Sequence, residues 1–479
     1  MMKRPTGIIF MLICFCIFTV GSKAQVISDP EELFSEGEYF FQSEDYEEAL
    51  YYFLQLAEKY PDNANFNWKV GNTYLNIPGR EYLAIPYLEK AVTNTTIKYR
   101  KRSFKEKRAP HHAYFRLGNA YRINNETEKA LEVYELFTSS KDFEGNYNLS
   151  IVENEIRSCE RANIIRDEPV PAEFIKLESP INIESDNTNA VLSGDGNTMI
   201  FISELAFYDA IHLSRKIDGQ WTEPEVLNPQ VGSDGDMYPT SLSYDGRELF
   251  LVKREEDNND IYVSTLGADF WTKARPLGPN INTGADETHA SITADGKTLY
   301  FTSARRGGYG ELDIYRSTRQ PSGEWGEAEN LGAVINTEFN EETPFLSEDR
   351  LYFSSQGHFN MGGYDVFFSM WDEGWKDPVN IGFPVNTTVD DLFYYPIGDG
   401  NQGLMSRIER KGAHAYNIFF VRIGERTVEF TDVQAGFPDD FSLILVVPGS
   451  KDTITIRYRK DKNMFFPDNP AYKVIRKDR

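Results

Sequence analysis

The feature that most constrains this chain is a motif that returns about every 50 residues from position 173 to 424. Asp195, Asp245, Asp295, Asp349 and Asp399 recur at spacings of 50, 50, 54 and 50. Four of them read Asp-Gly, the exception being Asp349-Arg350. Asp-Gly is a hairpin signal, because Gly supplies a positive φ and Asp caps the turn. After each turn the residues alternate as a strand does, as in 298–303 and 351–355. A second strand follows at 260–264 and 313–317. Trp221, Trp271, Trp325 and Trp375 then recur at 50, 54 and 50. A last strand carries Leu227, Leu277, Leu331 and Ile381, and leads into Ile281-Asn282-Thr283, Ile335-Asn336-Thr337 and Val385-Asn386-Thr387.

Four short strands per unit, repeated in tandem, predict a β-propeller. The last unit has its turn at 399 and strands up to Phe420, but neither the Trp nor the closing strand. The missing piece stands at the other end: Leu177, Ile181 and Asn182 lie 50 residues before the Leu227 strand, with no Trp ahead of them. The first strand is therefore expected to complete the last blade, giving five blades and no unpaired edge.

The region before the propeller has a different period. Gly37 and Gly71 stand 34 residues apart, within patterns that include Leu33, Phe40, Ala49, Phe53 and Pro61, then Trp68, Tyr74 and Tyr87. Leu117, Gly118, Tyr121, Ala130 and Tyr134 repeat the offsets. These predict helix pairs over 29–165, closed by a capping helix at 148–165 and joined to the propeller by a proline-containing linker at 166–172. Residues 1–24 read as a signal peptide: Lys3 and Arg4, an apolar run from Ile8 to Val20, then Ser22-Lys23-Ala24. Cleavage there leaves Cys159 alone, so an intramolecular disulfide is excluded and a small buried hydrophobe is expected. Residues 425–479 read as a small or partial β-domain.

The helical period of 34 resembles the tetratricopeptide (TPR) repeat, which implies an α-solenoid. The unit at 291–337 (Ser291, Asp295-Gly296, Leu299-Tyr300-Phe301, Gly307-Gly308, Asp313-Ile314-Tyr315, Gly323, Trp325) resembles the WD40-like repeats related to the TolB propeller. The two in succession resemble the PorE-type envelope proteins of the type IX secretion system. Members of that family continue into an OmpA-type peptidoglycan-binding domain, for which 425–479 is too short, so no such anchor is expected here.

Fifty Lys and Arg against 74 Asp and Glu leave a net charge of −24, which argues against nucleic acid as a ligand. The chain shows no Gly-x-Ser-x-Gly elbow, no His-Glu-x-x-His pair and no phosphate-cradling loop. No catalytic residue, cofactor or metal is predicted. The repeated Asp-Gly turns favour capping over calcium, and His111-His112 reads as a surface pair. Two kinds of irregularity stand out. One is the basic segment 98–108, with Arg100, Lys101 and Arg102, read either as a solvated helical extension or as a contact for an acidic partner. The other is a pair of longer blade loops holding Arg305, Arg306 and Tyr309, and His358 and Phe359. Loops on a rigid ring often bind, although Arg305 could equally brace its own blade.

The expected function is thus a non-enzymatic scaffold, exported to the periplasm and either free there or associated with the outer membrane. It would bind protein partners of the cell envelope through the helical groove and a propeller face. An alternative is a carbohydrate or peptidoglycan receptor, with Tyr309, Phe359 and Tyr364 as stacking faces. A lesser alternative is a hydrolase or lyase using propeller carboxylates.

Overall fold

The computed structural model describes residues 29–205, 207–255, 258–409 and 416–424, and beyond them five strands of the C-terminal segment. The signal peptide at 1–24 lies outside the described residues. Among the described residues no helix is long and apolar enough to cross a membrane.

Seven helices come first. They are α1 (Pro30–Gln42), α2 (Tyr46–Lys59), α3 (Ala64–Tyr74), α4 (Ile85–Ala91), α5 (Ala113–Ile123), α6 (Thr127–Thr138) and α7 (Leu149–Asp167). Several begin on a side-chain cap that answers an orphan N–H. Asp29 accepts from Glu31, Asp45 from Glu48, Asn63 from Asn65 and Phe66, and Asn148 from Ser150. The helices pack in pairs, α1 on α2, α3 on α4 and α5 on α6, with α7 against α6. One glycine per pair permits the contact: a Cβ on Gly37, Gly71 or Gly118 would run into Phe53, Leu88 or Tyr134 respectively.

The basic segment corrects the expectation of a helical extension. Thr95–Thr96 pairs with Ala109–Pro110, and the loop between them folds back onto the helices. Phe104 packs on Phe34 and Phe66, with ring centroids 6.1 and 5.8 Å away. Tyr99 donates to Asn65 Oδ1 at 2.6 Å. Inside the loop Glu106 is buried, which by itself would raise its pKa. The Arg108 N–H and the Arg100 and Arg108 guanidinium groups outweigh burial and hold it at about 2. His111 is likewise no surface residue: it is 5% exposed and packs among Tyr114, Phe137 and Tyr147.

Five blades follow. Their first strands are Asn187–Leu192, Met237–Leu242, Glu287–Ile292, Glu341–Ser347 and Tyr395–Ile397. The next two strands of each blade pair antiparallel in order. The Asp-Gly turns between first and second strands behave as capped hairpins. Asp195, for instance, accepts from Ser193 Oγ at 2.6 Å and the Asn197 N–H at 3.0 Å, with Gly196 at φ +68°. The fourth strand of the fifth blade is Ala172–Lys176, paired antiparallel with Phe419–Ile423. The ring is therefore closed by its own leading strand.

The repeated Asn explains how the outer edge of each blade is held. Asn282, Asn336 and Asn386 each accept from and donate to the backbone of one residue in the third strand, Ile261, Ile314 and Val366. Asn182 makes the same pair of bonds to Ile418, at 2.8 and 2.9 Å, across 236 positions of sequence. The tryptophans are less uniform than expected. Trp271 and Trp325 are buried, whereas Trp221 and Trp375 are half-buried. The C-terminal segment forms a parallel pair, Arg426–Thr431 with Tyr472–Lys477, and a three-stranded antiparallel sheet.

Candidate functional site

The helices are seated on the propeller. Helix α7 lies against the loop at 356–361, one of the two loops singled out in the sequence. Asn154 Nδ2 donates to the Gln356 carbonyl at 2.9 Å, Ser158 Oγ to Asn360 Oδ1 at 2.7 Å, and Arg161 to the His358 carbonyl at 2.9 Å. The Arg161 guanidinium also covers the Phe359 ring at 5.1 Å. Ala162 and Ile165 pack with Met361 in a small apolar cluster. Arg122 of α5, fully buried and paired with Glu155, reaches the Thr388 carbonyl. These are buried polar contacts between specific partners, the kind that fix one arrangement.

The same seating places Pro78 over the mouth of the propeller, where a cleft of about 500 Å3 opens on the axis. Its lining includes Asp186, Glu204, Asp209, Tyr238, Arg254, His289 and Tyr416. The first strands bring several of these inward. Four of those strands pair with irregular register, Asn189 and Thr343 take positive φ within two of them, and Phe393 does so just before the fifth first strand. Such bulges re-aim side chains.

Several polar groups of the cleft are engaged, with one another or with residues just outside its lining such as Glu342. Glu342 accepts from Tyr364 Oη at 2.7 Å and Thr288 Oγ1 at 3.1 Å, and lies 3.1 Å from His289 Nδ1. Burial alone would raise the Glu342 pKa, and these partners together hold it below the ordinary value. Arg254 pairs with Asp209 at 2.9 Å and covers Tyr238 at 5.1 Å. Tyr238 donates to the Thr288 carbonyl. Asp186 and Glu204 are raised by burial, Glu204 also by Asp186 and Asp209. Thr288, His289 and Glu342 do not make a nucleophilic relay. Thr288 and Glu342 both contact the same ring nitrogen, Nδ1, whereas a relay needs the base to use one nitrogen for each partner. Among the described residues no group of three His, Cys, Asp or Glu could hold a metal ion.

The residues singled out in the sequence are dispersed. Arg305 is half-buried inside its blade, donating to Ser303 Oγ and the Asn280 carbonyl and lying 3.5 Å from Glu287. That is the bracing alternative. His358 is half-buried, its Nε2 2.8 Å from the Ile335 carbonyl, so it shapes the seat of α7. Phe359 takes Arg161 on its face. Tyr309, Arg306, Arg100, Lys101 and Arg102 face solvent. Tyr364 is 8% exposed and spends its hydroxyl on Glu342, so it offers no stacking face. The axial residues vary in type from blade to blade, so the repeat does not mark them. Thr188, Tyr238, Thr288, Glu342 and Leu392 occupy one position of the repeat, at the same 50, 50, 54 and 50 spacing. Their variety amid constant neighbours was the available signal.

No protein-family model matches the chain, and no curated protein matches it. Solved structures do. TolB from Acinetobacter baumannii is 16% identical over 59% of this chain and 72% of that one, with a TM-score of 0.33. The arabinofuranosidase PaAbf62A from Podospora anserina is 9% identical over 54% and 99%, with a TM-score of 0.36. A thermostable family-43 glycoside hydrolase is 12% identical over 62% and 96%, with a TM-score of 0.34. The likeness is to a TolB-like five-bladed propeller and goes no further. The TPR and PorE-type resemblances rest on the sequence motifs alone.

Proposed function

We propose that this protein is a non-enzymatic scaffold of the cell envelope. In this reading it is exported to the periplasm, its helix pairs are TPR units, and it holds protein partners in an outer-membrane-associated assembly of the type IX kind. The observation that carries the reading is the seat of α7. Asn154, Ser158 and Arg161 lock the helices to the blade-four loop, so helices and propeller offer a partner one continuous rigid surface. Rigid, preorganised surfaces lose less entropy on binding. The engaged state of Arg254 and Tyr238 in the axial cleft, and of Glu342 beside His289, supports a binding role over a catalytic one.

The test is capture from envelope extracts by the full chain, with crosslinking to identify the contact. Recovery of the same envelope proteins by the wild type, and their loss in Arg161→Ala with the fold retained, is the expected result. Failure to enrich any protein over a control propeller overturns the reading. A second reading, a carbohydrate receptor, is favoured by the carboxylate-lined axial cleft with Tyr238 and Tyr416. Glycan-array binding abolished by Glu204→Gln would select it.

A further inference from the structure

Beside the α7 seat a second cleft opens, of about 290 Å3, between the start of that helix and blades three and four. It is lined by Asn154, Glu155, Glu311, Glu338, Asn340 and Gln356 among others, and by no Lys, Arg or His. Asn154 is 6% exposed. Its Nδ2 is used by the Gln356 carbonyl, while Oδ1 is buried without a partner. A buried amide oxygen in that state calls for a donor.

The charges around the cleft say which donor fits. Glu155 is balanced by Arg122. Glu338 accepts from Ser150 Oγ at 3.2 Å, so the start of α7 is already served by a carboxylate and does not invite an anion. Glu311 and Glu338 are exposed and leave the rim negative. Leu149 and Ile151 are exposed on the adjoining turn of α7, at 48% and 46%. A cleft with a deep acceptor, an acidic rim and an apolar shoulder suits a guanidinium on an aliphatic stem. Its several N–H donors lie in one plane and can serve acceptors on more than one side.

We propose that this cleft receives an arginine side chain of a partner protein. The guanidinium donates to Asn154 Oδ1 and pairs with Glu311 and Glu338, and the residues flanking the arginine rest on Leu149 and Ile151. The proposal rests on the scaffold reading and adds the chemistry of the partner.

The test uses the full chain and two peptides, acetyl-Gly-Leu-Arg-Leu-Gly-amide and its counterpart with citrulline in place of arginine. Citrulline keeps the shape and removes the charge. Saturation-transfer NMR titrations are expected to show the arginine peptide binding about tenfold more tightly, as charge-assisted contacts imply. A Glu311→Gln, Glu338→Gln double variant, both positions exposed, is expected to lose that advantage with unchanged melting. Asn154→Ala is expected to lose it as well, with melting checked because its Nδ2 also holds the seat. Equal binding of the two peptides, or an undiminished preference in the double variant, overturns the proposal. If the peptide binds as expected while envelope capture recovers nothing, the scaffold reading fails and the cleft stands. If envelope partners are captured equally by the double variant, the scaffold reading stands and this proposal falls.

Discussion

Replacing Glu341 by Gln tests how the propeller tolerates its buried acids. Glu341 opens the first strand of blade four and is fully buried. It accepts from the Thr337 N–H at 2.7 Å, from Thr337 Oγ1 at 2.7 Å and from Ser355 Oγ at 2.7 Å. Burial pushes its pKa up from 4.5 to about 7, against the lowering effect of those three bonds. The sign follows from the proton count. Below about pH 4.5 folded and unfolded chains both hold the proton, and the group costs nothing. Between about 4.5 and 7 the unfolded chain releases it and the folded chain keeps it, so stability falls as pH rises. Above about 7 the full cost persists. The shift of 7 − 4.5 = 2.5, at 1.36 kcal/mol per pKa unit, amounts to about 3 kcal/mol. A neutral Gln can keep the arrangement, its oxygen accepting from the Thr337 N–H and its amide donating to the two hydroxyls. Glu341→Gln is therefore expected to stabilise the propeller by up to about 3 kcal/mol at pH 8 and by little at pH 4.5. Tryptophan fluorescence during urea unfolding reports the right region. Trp221, Trp271, Trp325, Trp371 and Trp375 lie in the propeller, and only Trp68 lies in the helices. A wild-type-to-variant difference that is the same at pH 4.5, 6 and 8 would refute the reasoning.

Three further perturbations address the architecture. Asn182→Ala strips Ile418 of both side-chain bonds and should cost about 2 kcal/mol; faster amide exchange at 416–423 checks it, and unchanged exchange there would count against the latch. Trp271→Ala truncates a side chain 5% exposed in the core and should cost on the order of 3–5 kcal/mol, read as a lower melting temperature. Gly118→Ala drives a methyl into the Tyr134 ring and should cost about 1–3 kcal/mol, while the same change at Gly145, where a Cβ meets nothing but φ is +75°, should cost less.

The fold was legible wherever one physical requirement recurs. Gly37, Gly71 and Gly118 are small because each faces a large side chain on the partner helix. Asn182, Asn282, Asn336 and Asn386 are alike because each replaces a backbone partner at the edge of a blade. Contacts made once leave no such trace. Phe104 was hidden in a basic run, and nothing local distinguishes it from a solvated residue. The burial of His111 is not legible locally, because the aromatic rings around it, Phe137 and Tyr147, come from positions far along the chain. The loop at 356–361 was visible as an irregularity, but its use was not, since its partner is helix α7 of the same chain.

The amino-acid sequence by itself determined the repeat, the number of blades and the strand that shuts the ring. Hydrogen-bond and packing demands in a repetitive fold are periodic, and periodicity can be read in one dimension. Only the tertiary structure decided that the helices sit on blade four, that a cleft opens on the axis, and that Asn154 buries an unanswered oxygen beside acidic neighbours. Each of these joins side chains more than a hundred residues apart, or depends on the local bend of a strand, and neither is written in spacing.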